Sequence, residues 1–131
     1  MRMTKVYSLC GFDLHVDVIT PAADKTCVWI FYLHGGGMLY GVRDDLPNMY
    51  VDMLEDAGCT LWCPDYPLAP ETALGEISET IDALWECFCA EARAAGAVKL
   101  FAFGRSAGAY LVLALAKRLR STKGRIPNGI A

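Results

Sequence analysis

The sequence predicts a three-layer α/β/α sandwich on a mostly parallel sheet, preceded by an antiparallel hairpin. Three short apolar runs alternate along the chain with amphipathic helical segments. Strands and helices in this order give parallel strands joined by right-handed crossovers. Ahead of them, apolar and polar residues alternate, as is typical of strands exposed on one face. With 131 residues, 54% of them hydrophobic, we expect residues 1–131 to form one domain.

Charge and composition exclude several classes of protein. Twelve basic against 15 acidic residues give a net charge of −3, which argues against a nucleic-acid partner. Glycines and His34 interrupt the longest uncharged stretch, Thr26 to Val42, so no span of about 20 apolar residues crosses a membrane. The N-terminus lacks the apolar core of an export signal, so we expect a cytoplasmic protein whose six cysteines are reduced core residues. Their spacing fits no metal site, and we expect no cofactor.

The first elements follow from local patterns. Val6–Leu9 and Leu14–Ile19 alternate around Gly11, which predicts the hairpin. The continuous apolar run Cys27–Leu33 predicts a strand buried on both faces. A helical period predicts an amphipathic helix over Leu46–Ala57, closed by Gly58.

The second half continues the alternation. Cys59–Cys63 predicts a buried strand cut off by Pro64, and a stiff loop follows it. A long helix to about Ala95 presents one apolar face, formed by Ile77, Ile81, Leu84, Trp85 and Phe88. Val98–Phe103 predicts a third buried strand, followed by a helix over Ser106–Leu119 and by the opening of a further buried strand over 127–131.

The strongest chemical signal is Gly104-Arg105-Ser106-Ala107-Gly108, of the form Gly-x-Ser-x-Gly, between a buried strand and an apolar helix. A sharp strand-to-helix turn there holds a serine with strained torsions and an exposed hydroxyl, and the glycines permit the close approach of strand and helix. In the alternative interpretation, Ser106 is an ordinary helix N-cap.

A second signal, His34-Gly35-Gly36-Gly37, follows the first apolar strand. Glycines leave backbone N–H groups open to a ligand, and acyl transfer needs such donors to stabilise the tetrahedral oxyanion. Both motifs stand at strand ends, where sites form in open parallel sheets.

Through these two motifs and the loop Asp65-Tyr66-Pro67-Leu68-Ala69-Pro70-Glu71, the sequence resembles the hormone-sensitive-lipase-like esterase branch of the α/β-hydrolase superfamily over residues 27–120. The resemblance implies a carboxylic-ester hydrolase acting on a small acyl substrate. It makes Ser106 the nucleophile and assigns the oxyanion hole to the amides of Gly36, Gly37 and Ala107. The structural motif residues it implies are His34, Gly35, Gly104, Gly108 and Asp65, with no metal.

Three positions depart from the pattern of that branch. Pro67 stands where arginine is usual, so any salt bridge of that arginine is absent. Arg105 replaces the usual aspartate before the nucleophile, and Ala109 replaces a glycine. Arg105 near the mouth either favours an anionic substrate or is a solvated surface charge.

The triad of this fold runs in chain order serine, acid, histidine, yet residues 107–131 contain no Asp, Glu or His. The sequence thus resembles an N-terminal half, ending after the nucleophile helix and inactive alone. The alternatives are a non-catalytic, receptor-like binder of small molecules and a peptidase or thioesterase variant. We expect the strand Val98–Phe103 to be left as an edge, so that the chain self-associates or binds a missing C-terminal half.

Overall fold

In a computed structural model, which describes residues 1–22 and 26–131, a six-stranded mixed sheet carries helices on both faces. The spatial order of the strands is β1-β2-β4-β3-β5-β6. Along the chain the elements are β1 (Arg2–Leu9), β2 (Phe12–Ile19), β3 (Val28–Leu33), α1 (Asn48–Asp56), β4 (Thr60–Pro64), α2 (Leu74–Ala94), β5 (Lys99–Gly104), α3 (Ala107–Thr122) and β6 (Gly129–Ile130).

The predicted hairpin is present, and a two-residue turn links its strands. β1 and β2 pair antiparallel from Arg2↔Ile19 to Leu9↔Phe12. The two linking residues, Cys10 and Gly11, both have positive φ, of 51° and 82°. A two-residue turn with both central residues in this region matches the right-handed twist of the flanking strands. β2 then joins the hairpin to the rest of the sheet by pairing antiparallel with β4.

The parallel part of the sheet centres on β3, which pairs with β4 on one side and β5 on the other. Alternate β3 residues face opposite layers. Phe31 and Leu33 belong to the core under α2 and α3, whereas Ile30 and Tyr32 belong to the smaller core under α1. This arrangement confirms the predicted three layers and brings the C-terminal ends of β3 and β5 side by side.

The first helix differs from its prediction. It begins at Asn48 and not at Leu46, because Pro47 disfavours helical torsions in the residue before it. Its predicted apolar face is largely open, with Met49 67% and Met53 56% exposed. Tyr50 and Met53 instead border an apolar groove of about 440 Å³ between α1 and the β5–β6 edge.

Two strand predictions need correction. Pro64 is the last residue of β4 and pairs with Val16, since a proline is tolerated where a strand ends. β5 is not an edge strand, because β6 pairs with it in parallel through Phe101↔Gly129 and Ala102↔Ile130. The edge is therefore β6, and Ile130 in it is 44% exposed and not buried.

Across residues 1–22 and 26–131, no helix is long and apolar enough to cross a membrane.

Candidate active site

Ser106 stands in the turn between β5 and α3, with φ 51° and ψ −115°. An L-residue with a side chain rarely adopts this conformation, because its Cβ crowds the neighbouring carbonyl groups. The strained backbone predicted for Ser106 is thus confirmed. The residue is exposed, and its side chain makes no capping hydrogen bond to α3. The alternative that its hydroxyl caps the helix therefore does not hold.

The motif glycines allow the turn to close on itself and on β3. A Cβ at Gly104 would lie 2.3 Å from the carbonyl carbon of Gly108. A Cβ at Gly108 would lie 2.0 Å from the main-chain oxygen of Leu33. No side chain fits at either distance, so the N-terminus of α3 rests directly on the end of β3.

The glycine-rich segment after β3 lies against the Ser106 turn. A Cβ built on Gly35 would be 3.6 Å from the Cβ of Ser106 and 3.2 Å from the carbonyl oxygen of Arg105. Gly36, at φ 119°, accepts hydrogen bonds on its carbonyl from the amides of Leu39 and Tyr40. A Cβ there would lie 1.9 Å from the oxygen of Tyr40, so this turn requires glycine.

Three main-chain amides, two in the glycine-rich segment and one directly after Ser106, have no acceptor in the part of the chain that the structure describes. Within residues 1–22 and 26–131, the N–H groups of Gly36, Gly37 and Ala107 donate no hydrogen bond. Two belong to the glycine-rich segment and one to the residue after Ser106. A main-chain donor without a protein acceptor can hydrogen bond to water or to an oxygen of a bound ligand.

His34 is part of the scaffold beneath this segment. It is 1% exposed, and its ring stacks on Tyr66 with centroids 4.2 Å apart. Nδ1 lies 2.7 Å from the oxygen of Gly35 and carries the proton, since a carbonyl only accepts. The Tyr66 hydroxyl donates to the main-chain oxygen of His34, and burial raises the pKa of Tyr66, so that it stays a donor.

Asp65 is held by an arginine that sequence reasoning did not identify. Its carboxylate accepts from the backbone N–H of Arg43 at 2.9 Å and from the Arg43 guanidinium at 2.6 Å. Arg43 Nε also donates to Asp17, which is 4% exposed. Pro67 removes the usual arginine of the Asp65 loop, but Asp65 still has a cationic partner, contributed by the segment that follows the glycines.

The roles of Asp45 and Tyr32 in the site were also not predicted from the sequence. One carboxylate oxygen of Asp45 accepts from the Tyr32 hydroxyl, and the other accepts from the Gly35 amide at 3.1 Å. Burial, followed by the hydrogen bond to Asp45, raises the pKa of Tyr32. An aspartate ten residues after the first glycine of a run is a weak signal in one sequence, whereas its contacts show that Asp45 holds Gly35 in place.

The strain at Ser106 predicts an unusual mutational result. Ser106→Gly is expected to be more stable than Ser106→Ala by about 1 kcal/mol or more, because glycine adopts this conformation without steric cost. Urea unfolding of both variants measures the difference. Equal stabilities would show that the turn relaxes and that the serine is not strained.

Comparisons with known proteins agree with this geometry. A family model described as alpha/beta hydrolase fold matches residues 30–131. An acetyl esterase of Salmonella schwarzengrund is 34% identical over 121 residues, covering 91% of this chain and 37% of the relative. An ethyl acetate hydrolase of Pseudomonas putida is 30% identical over 118 residues, covering 86% and 37%. The chain therefore spans well under half the length of these curated relatives.

Solved structures give the same picture. An alpha/beta hydrolase superfamily protein from Enterococcus faecalis superposes with a TM-score of 0.78 at 30% identity, covering 95% of this chain and 44% of that one. An esterase of Pyrobaculum calidifontis superposes with a TM-score of 0.87 at 20% identity, covering 99% and 43%. The second likeness, at that identity, supports the fold alone.

Proposed function

The chain belongs to the α/β-hydrolase fold family, and on this premise we propose that it carries the nucleophile and oxyanion hole of a carboxylic-ester hydrolase. The observation that carries the proposal is the position of Ser106. It is exposed, conformationally strained, packed against Gly35 and accompanied by three amides without acceptors. A serine held in this way suits attack on a carbonyl carbon.

The proposed reaction begins when Oγ of Ser106 bonds to the carbonyl carbon of an ester. A general base takes the hydroxyl proton, and the carbonyl electron pair moves onto oxygen. The amides of Gly36, Gly37 and Ala107 donate to that oxyanion. The carbon–oxygen bond to the alcohol then breaks, the alcohol leaves with a proton, and water hydrolyses the acyl-serine through a second oxyanion.

The acid and base of the triad are assigned outside residues 1–131. Residues 107–131 contain no Asp, Glu or His. His34 donates from Nδ1 to the carbonyl oxygen of Gly35 and its ring stacks on Tyr66, which suits a structural role. Without a base the serine hydroxyl is a weak nucleophile, so we expect this chain alone to turn over slowly or not at all.

A small acyl group is the proposed substrate feature. The two relatives described above are named for acetyl ester and ethyl acetate hydrolysis, and they cover 91% and 86% of this chain. We therefore choose p-nitrophenyl acetate as the probe substrate.

Acetyl transfer to Ser106 tests the proposal. The chain is expected to acetylate slowly with p-nitrophenyl acetate, and a fluorophosphonate is likewise expected to label it slowly. Added imidazole should raise the rate at least about tenfold, because an external base replaces the absent one. Intact-mass spectrometry with peptide mapping locates the adduct. Ser106→Ala should abolish it, whereas Ser121→Ala, at an exposed serine near the C-terminal end of α3, should not.

Two outcomes would contradict parts of this account. Rapid labelling without imidazole would mean that a base within the chain, or from a partner copy, activates Ser106. Binding of acyl compounds with no adduct at Ser106 under any condition would favour the receptor-like alternative.

Association with a complementary surface is a further part of the proposal. Tyr110 and Leu113 of α3 are more than half exposed, and the groove beside α1 is apolar. We expect the chain to self-associate or to bind the remaining part of the domain, since such surface is costly in water. Size-exclusion chromatography with light scattering over a dilution series measures this. A stable monomer at high concentration would contradict it.

A further inference from the structure

Asp45 links three parts of the site. Its carboxylate accepts from the Tyr32 hydroxyl at the end of β3 and from the amide of Gly35, the first glycine of the run. Its main-chain oxygen accepts from Arg105 Nη1 at 2.9 Å. A single residue therefore contacts the strand, the glycine-rich segment and the residue immediately before Ser106.

The Arg105 side chain is directed to Asp45. Besides the hydrogen bond to the main-chain oxygen, its Nη1 lies 3.9 Å from Oδ2 of Asp45. Arg105 is 60 positions from Asp45 in sequence, so this contact joins the Ser106 turn to the loop after the glycines. Arg105 is exposed, its side chain at 47%, as expected for a solvated surface charge, but it also contacts Asp45.

The charge of Arg105 also matters for the proposed chemistry. The Asp45 carboxylate accepts from the amide of Gly35, the residue directly before Gly36, so this negative charge is held beside the segment proposed to bind the oxyanion. A carboxylate so close opposes a second negative charge. A guanidinium beside it offsets that repulsion and costs no reorganisation during the reaction.

We infer that Asp45 and Arg105 are a pair of positioning residues. They fix the amides of Gly36 and Gly37 relative to that of Ala107, and Arg105 neutralises the charge of Asp45 beside the developing oxyanion. Their catalytic consequence rests on the proposed function. The coupling of the two loops is a property of the chain itself and can be measured without any substrate.

The first arm of the test observes the loop directly. In ¹H–¹⁵N spectra, Arg105→Met should shift the amide resonances of Gly35, Gly36 and Gly37, although residue 105 is remote from them in sequence. Arg105→Lys should partly restore them, since an ammonium keeps the charge and a donor. Arg120→Met, at an exposed arginine near the C-terminal end of α3, should leave them in place. Unmoved hairpin resonances in β1 and β2 would show that each variant is folded.

The second arm measures imidazole-assisted acetylation of Ser106 over a range of ester concentrations. Arg105→Met should lower the maximal rate about tenfold while leaving the half-saturating concentration within about twofold, because the pair acts on oxyanion geometry and not on ester binding. Arg105→Lys should recover most of the rate, which a merely structural role would not predict once both variants are folded.

The spectra test the coupling of Asp45 and Arg105, and the acetylation rates test the proposed function, so the two can fail separately. Glycine resonances that stay in place in Arg105→Met overturn the inference, whether or not the parent chain acetylates. If Arg105→Met does not fold, Arg105→Lys decides: small shifts of the three glycine amides with most of the rate retained support the pair, whereas unmoved glycine amides contradict it. A parent chain that never acetylates Ser106 overturns the proposed function, and the shifts alone then decide the coupling.

Discussion

Gly108→Ala is expected to destabilise the protein by about 4 kcal/mol or more. The added Cβ would lie 2.0 Å from the oxygen of Leu33 and 2.6 Å from that of His34, and both are main-chain atoms of the β3 end. They cannot yield without disturbing the hydrogen bond from the Arg105 amide to Leu33 and the pairing of β3 with β5. Urea denaturation followed by circular dichroism measures the loss.

Gly75→Ala is the matched control for that variant. Gly75 lies in the first turn of α2, and nothing lies within 4 Å of a Cβ built there. The substitution should stabilise the protein by about 0.5 kcal/mol, since alanine is the better helix former. Similar effects from both substitutions would mean that the close contact of α3 with β3 is absent in solution.

Arg43→Met is expected to lower the free energy of unfolding by about 3 kcal/mol at neutral pH. Arg43 donates to Asp17 at 2.9 Å and to Asp65 at 2.6 Å, and Asp17 is buried. Methionine keeps much of the apolar stem but leaves a buried carboxylate with Thr4 as its remaining side-chain donor. The free energy of unfolding should fall at Arg43→Met and fall less at Arg43→Lys, which keeps the charge without the fork of donors.

The pH dependence of the free energy of unfolding provides an independent check of the Asp17–Arg43 pair. Burial raises the pKa of Asp17, but the hydrogen bonds from Thr4 and Arg43 and the charge of Arg43 outweigh it and leave the pKa below its usual value. A depressed pKa stabilises the fold above the unfolded pKa of 3.8, and this stabilisation is lost as pH falls through the folded value. The parent should lose this contribution on acidification, whereas Asp17→Asn should not. An unchanged acid dependence in Asp17→Asn would contradict the pairing.

Local patterns predicted the elements that the structure contains, because strand and helix periods are properties of neighbouring residues. The close approach at Gly104 and Gly108 was predictable for the same reason, since both glycines lie within one motif. Arg43 and Asp45 were not, because their partners Asp17, Asp65 and Arg105 lie far away in sequence. Nothing in one sequence pairs such charges.

The open face of α1 shows a second feature that the sequence pattern did not predict. A helical period indicates which residues share a face, such as Met49 and Met53, but not what lies opposite them. The predicted start of α1 at Leu46 was wrong for a reason visible in the sequence, since Pro47 itself indicates that the preceding residue is not helical.

The amides of Gly36, Gly37 and Ala107 in a trapped adduct test the central claim most directly. After prolonged fluorophosphonate treatment with imidazole, Ser106 should carry a phosphonyl group whose oxygen occupies the place of the oxyanion. The amide proton resonances of these three residues should then move downfield together, as expected for new hydrogen bonds to the strongly polarised phosphoryl oxygen. An adduct at Ser106 that leaves all three resonances unchanged would contradict the account.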